Sequence, residues 1–216
     1  MMKKFFSHLS PLALLVCAFL LTACITGCLS RPALNPQTFS FGLPAGIATN
    51  FVAGQPVLAL KKLRVASPCE QRSFVYRTGD FTYVRDPFAS FLDLPEQELQ
   101  APLRAGLCSE GDFSAVVETG STLKPDILVE IDALQLFGDF RQMTSPKAVL
   151  TMRFTFFVAT NGIATRPLFQ KEYSQTIPIA KPSAAALMSG WSQDMTKTLT
   201  GVLSDYRQSR DADSKR

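Results

Sequence analysis

Apolar positions along this chain fall into three regimes. From Leu12 to about Leu21 they run unbroken, between residues 29 and 56 they are scattered among prolines and glycines, and from Val57 onward they recur periodically. The periodic part predicts the elements of a fold. Val57 to Val65 reads as a strand rich in aliphatics. Ser73 to Arg77 and Phe81 to Arg85 flank Thr78-Gly79-Asp80 and predict a hairpin. Pro95-Glu96-Gln97-Glu98 opens a helix, with proline in the first turn, acids against the dipole, Leu99, Leu103 and Leu107 on one face, and Gly111 just past its end. Phe113 to Val117 follows as a short strand.

The second half alternates more cleanly. Asp126 to Phe140 sets Ile127, Val129, Ile131 and Ala133 on one face against Glu130 and Asp132, which predicts a solvated outer face. Val149 to Ala159 sets Leu150, Met152, Phe154, Phe156 and Val158 against Thr151, Arg153 and Thr155. Asn161-Gly162 signals a tight turn, and Leu168 to Ile179 supplies the returning strand. Pro182 to Gln208 predicts one long helix, because Leu187, Met188, Trp191, Met195, Leu199, Val202, Leu203 and Tyr206 recur at intervals of three and four. Trp191 therefore belongs to the core, and residues 209–216 form a charged, frayed tail. The sum is a single α/β (α+β) domain, with a mixed, largely antiparallel sheet packed against two main helices.

The first regime changes the picture most. Lys3 and Lys4 precede the apolar run, which ends in Leu21-Thr22-Ala23-Cys24 and then Ile25-Thr26-Gly27-Cys28. An aliphatic residue three before a cysteine, with small residues between, is how a bacterial signal ends when the new N-terminus is to be acylated. Cys24 is the expected lipidation site because it directly follows the apolar core, with Cys28 as the alternative. A transmembrane anchor over Pro11 to Leu29 is the competing reading. Against it, the stretch opens on proline, is diluted by cysteine and threonine, and is followed by no basic cluster. The expected layout is a signal peptide at 1–23, a lipidated N-terminus and extended tether at 24–56, and the folded domain at 57–208. Within the tether, Thr38 to Leu43 alternates and predicts an edge strand.

Charge and chemistry then narrow the function. Without Lys3 and Lys4 the mature chain keeps 20 basic against 18 acidic residues, unclustered, which argues against nucleic acid as a partner. The only histidine, His8, lies in the signal, so the mature chain lacks the commonest general base and metal ligand. No phosphate loop, nucleophile elbow or metal-spaced cysteine pair is present, and the expectation is a non-enzymatic protein with no metal and no cofactor beyond the covalent lipid. For Cys69 and Cys108, a disulfide in an oxidising compartment and two separate buried thiols are both open. The segment Phe137-Gly138-Asp139-Phe140-Arg141, leading to Pro146, is the candidate interaction patch. Aromatics and arginine commonly carry interface energy, while the alternative is that Phe137 and Phe140 fill the core.

Several strings in order resemble the ABC-type transport auxiliary lipoprotein family. They are Phe74-Val75-Tyr76-Arg77, Phe88 to Pro95, Ser109 to Val116, Leu136 to Phe140, Pro146-Lys147-Ala148-Val149-Leu150 with Phe154 to Phe157, and Ile177-Pro178-Ile179 before the Trp191 helix. The match spans about residues 57 to 207. Phe91 and Phe137 stand where many members carry tryptophan and tyrosine, which keeps an aromatic at each place. The resemblance implies an accessory lipoprotein of an MCE-type (mammalian cell entry) lipid transport system. Its partners would be an MCE-domain protein with its ABC permease and ATPase, and it leaves room for a homo-oligomer. Ile25 or Leu29 after the acylated cysteine, rather than aspartate, implies delivery to the outer membrane on its periplasmic face. A periplasmic lipid-binding carrier, with an acyl chain held between sheet and helices, is the alternative function.

Overall fold

The computed structural model describes residues 35–41, 53–213 and 215. Cys24 and Cys28 lie outside the described residues. The chain divides into two units, Met1–Asn35 and Pro36–Arg216, and the second holds every element described below.

Among the described residues eight strands and two helices follow one another as β1 (Gln37–Phe39), β2 (Val57–Val65), β3 (Ser73–Arg77), β4 (Tyr83–Phe91), α1 (Pro95–Cys108), β5 (Ala115–Glu118), β6 (Ile127–Asp139), β7 (Lys147–Thr160), β8 (Ile163–Pro178) and α2 (Ala184–Asp213). The strands form one mixed sheet whose axis is β6. One edge of β6 carries β7 along its length, and β7 carries β8, in the two long antiparallel ladders. The other edge is shared. Strand β2 pairs in parallel with Leu58 opposite Ile127 and Val65 opposite Ala133, while β3 takes only Gly138 and Asp139. Beyond β2 lies β5, and beyond β3 lie β4 and then β1. The expected fold class holds.

Both helices cover one face. Leu58, Leu60 and Leu63 of β2, Val129 and Ile131 of β6 and the even positions Leu150 to Phe156 of β7 meet Leu99, Leu103 and Leu107 of α1 and Leu187, Trp191 and Leu199 of α2. Trp191 is fully buried, as its place in the helical stripe predicts, and its ring is 5.1 Å from Phe74 and 5.7 Å from Phe91. Glycines set the approach: a Cβ on Gly190 would lie 2.5 Å from the Cβ of Ala148, so α2 rests directly on β7 there. The opposite face carries cross-strand pairs, Lys61–Glu130 at 2.8 Å, Arg64–Asp132 at 3.2 Å and Arg153–Glu172 at 3.2 Å. Exposed pairs of this kind contribute little stability; they mark the wet face that the alternation predicts.

The edge strand expected within the tether is present as β1, while three boundaries of the expected layout differ. The sheet reaches into the tether, because Phe39 and Phe41 pack against Phe74 (5.4 Å) and Phe91 (6.0 Å) while Ser40 Oγ and the Phe41 N–H donate to Glu98 Oε2 at 2.7 and 3.3 Å. Strand β4 runs on to Phe91 through Pro87, which lies where the β3–β4 register shifts, between the pairs Val75–Arg85 and Ser73–Ser90, a place where proline is tolerated. Helix α2 continues through residues 209–213, assigned to the frayed tail, where Arg166 of β8 pairs with Asp213.

Candidate functional site

At the end of the sheet where β6 terminates, four strands stand in register. Arg77 of β3 lies opposite Asp139 of β6, Asp139 opposite Lys147 of β7, and Lys147 opposite Pro178 of β8. Two turns project from this end: Thr78–Thr82 between β3 and β4, and residues 140–146 between β6 and β7. Gly138 is needed here because a side chain would meet Leu187 Cδ1 at 2.9 Å, where the first turn of α2 closes on β6.

The candidate patch divides sharply. Phe137 and Phe140 are buried, Phe137 edge-on to Tyr83 at 5.6 Å and Phe140 stacked on Tyr76 at 4.8 Å. As an aromatic docking surface the segment is therefore corrected: its rings fill the core, because β3 and β4 cover them. Asp139 and Arg141 do reach the surface. The Arg141 guanidinium donates to Asp139 from Nε (3.0 Å) and Nη2 (2.8 Å), and from Nη1 to Asp80 Oδ1 at 3.0 Å. These bonds hold the Asp139 carboxyl below its ordinary range, against a smaller opposing effect of burial. Arg77 braces the same turn by donating to the carbonyls of Gly79 (3.3 Å) and Asp80 (2.8 Å). With Gln142 and Ser145 the four charged residues Asp80, Asp139, Arg141 and Lys147 line an open groove of about 330 Å³. Such a groove can recognise charge.

The two cysteines do not meet. Cys69 is buried and its thiol bonds the backbone at Leu136, whereas Cys108 is half-buried and bonds the backbone at Val116. Val116 pairs with Leu58 at the start of β2, and Cys69 follows the other end of that nine-residue strand. The separation is roughly 20 Å, against the ~7 Å that a disulfide spans. The open choice resolves to two separate thiols, and burial pushes both thiol pKa values up. Among the described residues no group of three His, Cys, Asp or Glu side chains is placed to hold a metal ion, and no helix is long and apolar enough to cross a membrane.

Sequence patterns miss two features of this end and one of the core. Asp80, the second partner of Arg141, reads only as a turn residue. Phe81 reads as the start of a strand, yet it stands at the tip of the turn, 97% exposed, and Met143 on the neighbouring loop is 62% exposed. In the core, Asp194 is fully buried on the apolar stripe of α2.

This arrangement, a forked mixed sheet with two helices on one face, recurs in solved structures. No protein-family model matches the chain, and no curated protein matches it in sequence. Protein XCC0632 from Xanthomonas campestris, of the family DUF330, is similar in structure with a TM-score of 0.63 at 16% identity, over 84% of this chain and 98% of that one. An uncharacterized protein of solved structure aligns with a TM-score of 0.61 at 13% identity, over 80% of this chain and 99% of the other. At such identities the likeness establishes the fold: this chain is built as the DUF330 protein is.

Proposed function

We propose that the chain is a non-enzymatic lipoprotein that docks an MCE-type ABC transport system at the outer membrane. It is held on the periplasmic face by acylated Cys24, or by Cys28, and binds the MCE-domain protein through its folded domain. The observation that carries this reading is the convergence of the family-like strings. Tyr76-Arg77, Gly138-Asp139, Lys147-Ala148 and Ile177-Pro178 are scattered over a hundred residues, yet they lie side by side across four strands at one end of the sheet. The charges they bring together suit recognition of a polar partner surface, where complementary charge sets register and specificity.

The carrier alternative finds little support. Its groove between sheet and helices is filled by Trp191, Leu187 and Phe154, all fully buried, and closed by the contact of Gly190 with Ala148. The test is co-purification of the native lipoprotein from membranes with the MCE-domain protein of the same cell. Exchanging the charges (Asp139→Arg with Arg141→Asp) keeps a pair between 139 and 141 in reversed order, sets a carboxylate beside Asp80, and rearranges the charges of the groove. Docking predicts capture by the wild type and roughly tenfold less by the exchange variant. No capture by the wild type overturns the adaptor reading; undiminished capture by a folded exchange variant moves the docking face elsewhere.

A further inference from the structure

We infer that the Phe81 and Met143 loop tips touch the surface of the lipid bilayer to which the chain is anchored, an inference that rests on the lipoprotein reading above. Phe81 is 97% exposed on a turn that is not loose: two arginines bond its backbone and side chains, and Thr78 N–H donates to Thr82 O at 3.0 Å. A large apolar ring held rigidly in water has no role in the core. Rigid presentation also means that little conformational freedom is lost when the ring is buried. Met143 stands on the adjacent loop, which Arg141 ties to the same turn through Asp80.

The direction of the chain favours a membrane as the occupant. Strand β1 pairs in parallel with β4, Gln37 opposite Ala89 and Phe39 opposite Phe91. The polypeptide thus enters the sheet travelling away from the Phe81 end. Tyr83, beside the tip, lies six positions before Ala89, roughly 20 Å along the strand. Cys24 precedes Gln37 by thirteen residues and Cys28 by nine, spans of at most roughly 45 and 30 Å. An acyl group on either cysteine can therefore lie in the bilayer that Phe81 contacts. Charge agrees: Lys147 in the groove and exposed Lys181, in the connection that follows Pro178, stand behind the tips, and neither joins an ion pair among the described residues, which suits anionic headgroups. Once the acyl chains hold the domain at the surface, even a weak contact is made intramolecular and fixes its orientation. The groove beside Arg141 then opens along the membrane.

The test uses the full lipidated chain carrying Phe81→Trp, reconstituted in phosphatidylethanolamine and phosphatidylglycerol vesicles with and without brominated acyl chains. Trp191, the sole native tryptophan, is buried and serves as the internal reference. Membrane contact predicts that the introduced indole emits to the blue of its position in detergent and is quenched severalfold more than Trp191 by brominated lipid. Emission at the water limit without quenching overturns the inference. So does a blue shift that requires added MCE-domain protein, which would make the tips a protein contact. Mass spectrometry of the N-terminal peptide reports acylation separately, so a chain that is not lipidated at all fails on the anchoring itself. Because Phe81 is outside the core, an unchanged melting curve is expected for the variant and certifies its fold.

Discussion

Trp191 and Asp194, one helical turn apart on α2, grip the two sides of a single peptide group in β7. Trp191 Nε1 donates to the carbonyl of Val149 at 3.2 Å, and Asp194 Oδ2 accepts from the N–H of Leu150 at 3.2 Å. The peptide lies next to the place where β6 bulges between Ala133 and Gln135, opposite Met152 and Thr151. Helix and sheet are thus joined by directional bonds in the middle of an apolar interface. A buried backbone group without a partner costs about 1–3 kcal/mol, so the pair fixes where the helix lies.

The first prediction follows from the charge of that carboxyl. Burial pushes the Asp194 pKa up to about 7, opposed by smaller effects of the Leu150 and Thr198 bonds and the Lys197 charge. An acid raised above its unfolded value, near 3.9, keeps its proton in the native state while the unfolded chain loses it. The native state binds more protons between about pH 4 and pH 7, so stability falls as pH rises through that window and levels above it. Asp194→Asn should remove this slope, on the order of 2–4 kcal/mol across the window. Urea unfolding at a series of pH values checks it; parallel profiles for the two proteins would refute the assignment.

Gly190→Ala tests the closeness of α2 to β7. In an exposed helix the change would stabilise by up to ~1 kcal/mol through backbone entropy. Here the new methyl meets the Ala148 Cβ at 2.5 Å, an atom fixed to a central strand that cannot swing aside. A net loss of about 1–3 kcal/mol is expected from overpacking, read as a lowered melting temperature. Gly201→Ala, whose nearest neighbour is the Tyr173 ring at 3.3 Å, should cost less.

The fold was legible wherever a strand or helix carried its own period. Strands β2 and β3 and the start of α1 match the residues that alternation, aliphatic content and the proline signal assign. Strand β1 was legible as an edge strand from the alternation at Thr38 to Leu43, but not its partners, since Phe91 lies fifty positions from Phe41 and Glu98 fifty-eight from Ser40. The site was legible in part for the same reason. Asp139 and Arg141 are two residues apart and visibly paired in sequence, whereas Asp80 joins them across 61 positions through the sheet. Whether Phe137 and Phe140 face water depends on the cover given by Tyr83 and Tyr76, which only tertiary pairing supplies.

The reach of the sheet into the tether makes a truncation informative. A chain beginning near residue 50 keeps every long strand but loses β1, Phe39 and Phe41. It should fold and yet be several kcal/mol less stable than one beginning at 35, since each half-buried aromatic contributes on the order of 1–2 kcal/mol and Glu98 loses two donors. Equal denaturant midpoints for the two chains would show that β1 adds nothing.

Cys69 and Cys108 should behave as independent, shielded thiols in the mature protein. The native chain is expected to react slowly with a thiol reagent at Cys69, faster at Cys108, and to migrate identically with and without reductant. A mass lower by two hydrogen atoms, with a crosslinked tryptic pair, would contradict the separation inferred from β2.

The last prediction concerns the ion pair that closes the C-terminal helix over the rest of the domain. Arg207 of α2 donates to Asp112 from Nε at 2.9 and 3.1 Å and from Nη2 at 2.7 Å, and also reaches Glu110 at 3.2 Å. The Asp112 side chain is only 7% exposed, whereas that of Arg207 is 41% exposed. The asymmetry decides which loss is worse. Arg207→Met strands a buried carboxylate, and about 3 kcal/mol or more of destabilisation is expected at neutral pH. Asp112→Asn leaves the arginine free to turn to water and to Glu110, and should cost closer to 1 kcal/mol. The double variant should then be more stable than Arg207→Met alone, because the stranded charge is gone. A double-mutant cycle by chemical denaturation reads all three, and additive losses would show that the two side chains do not act as a pair.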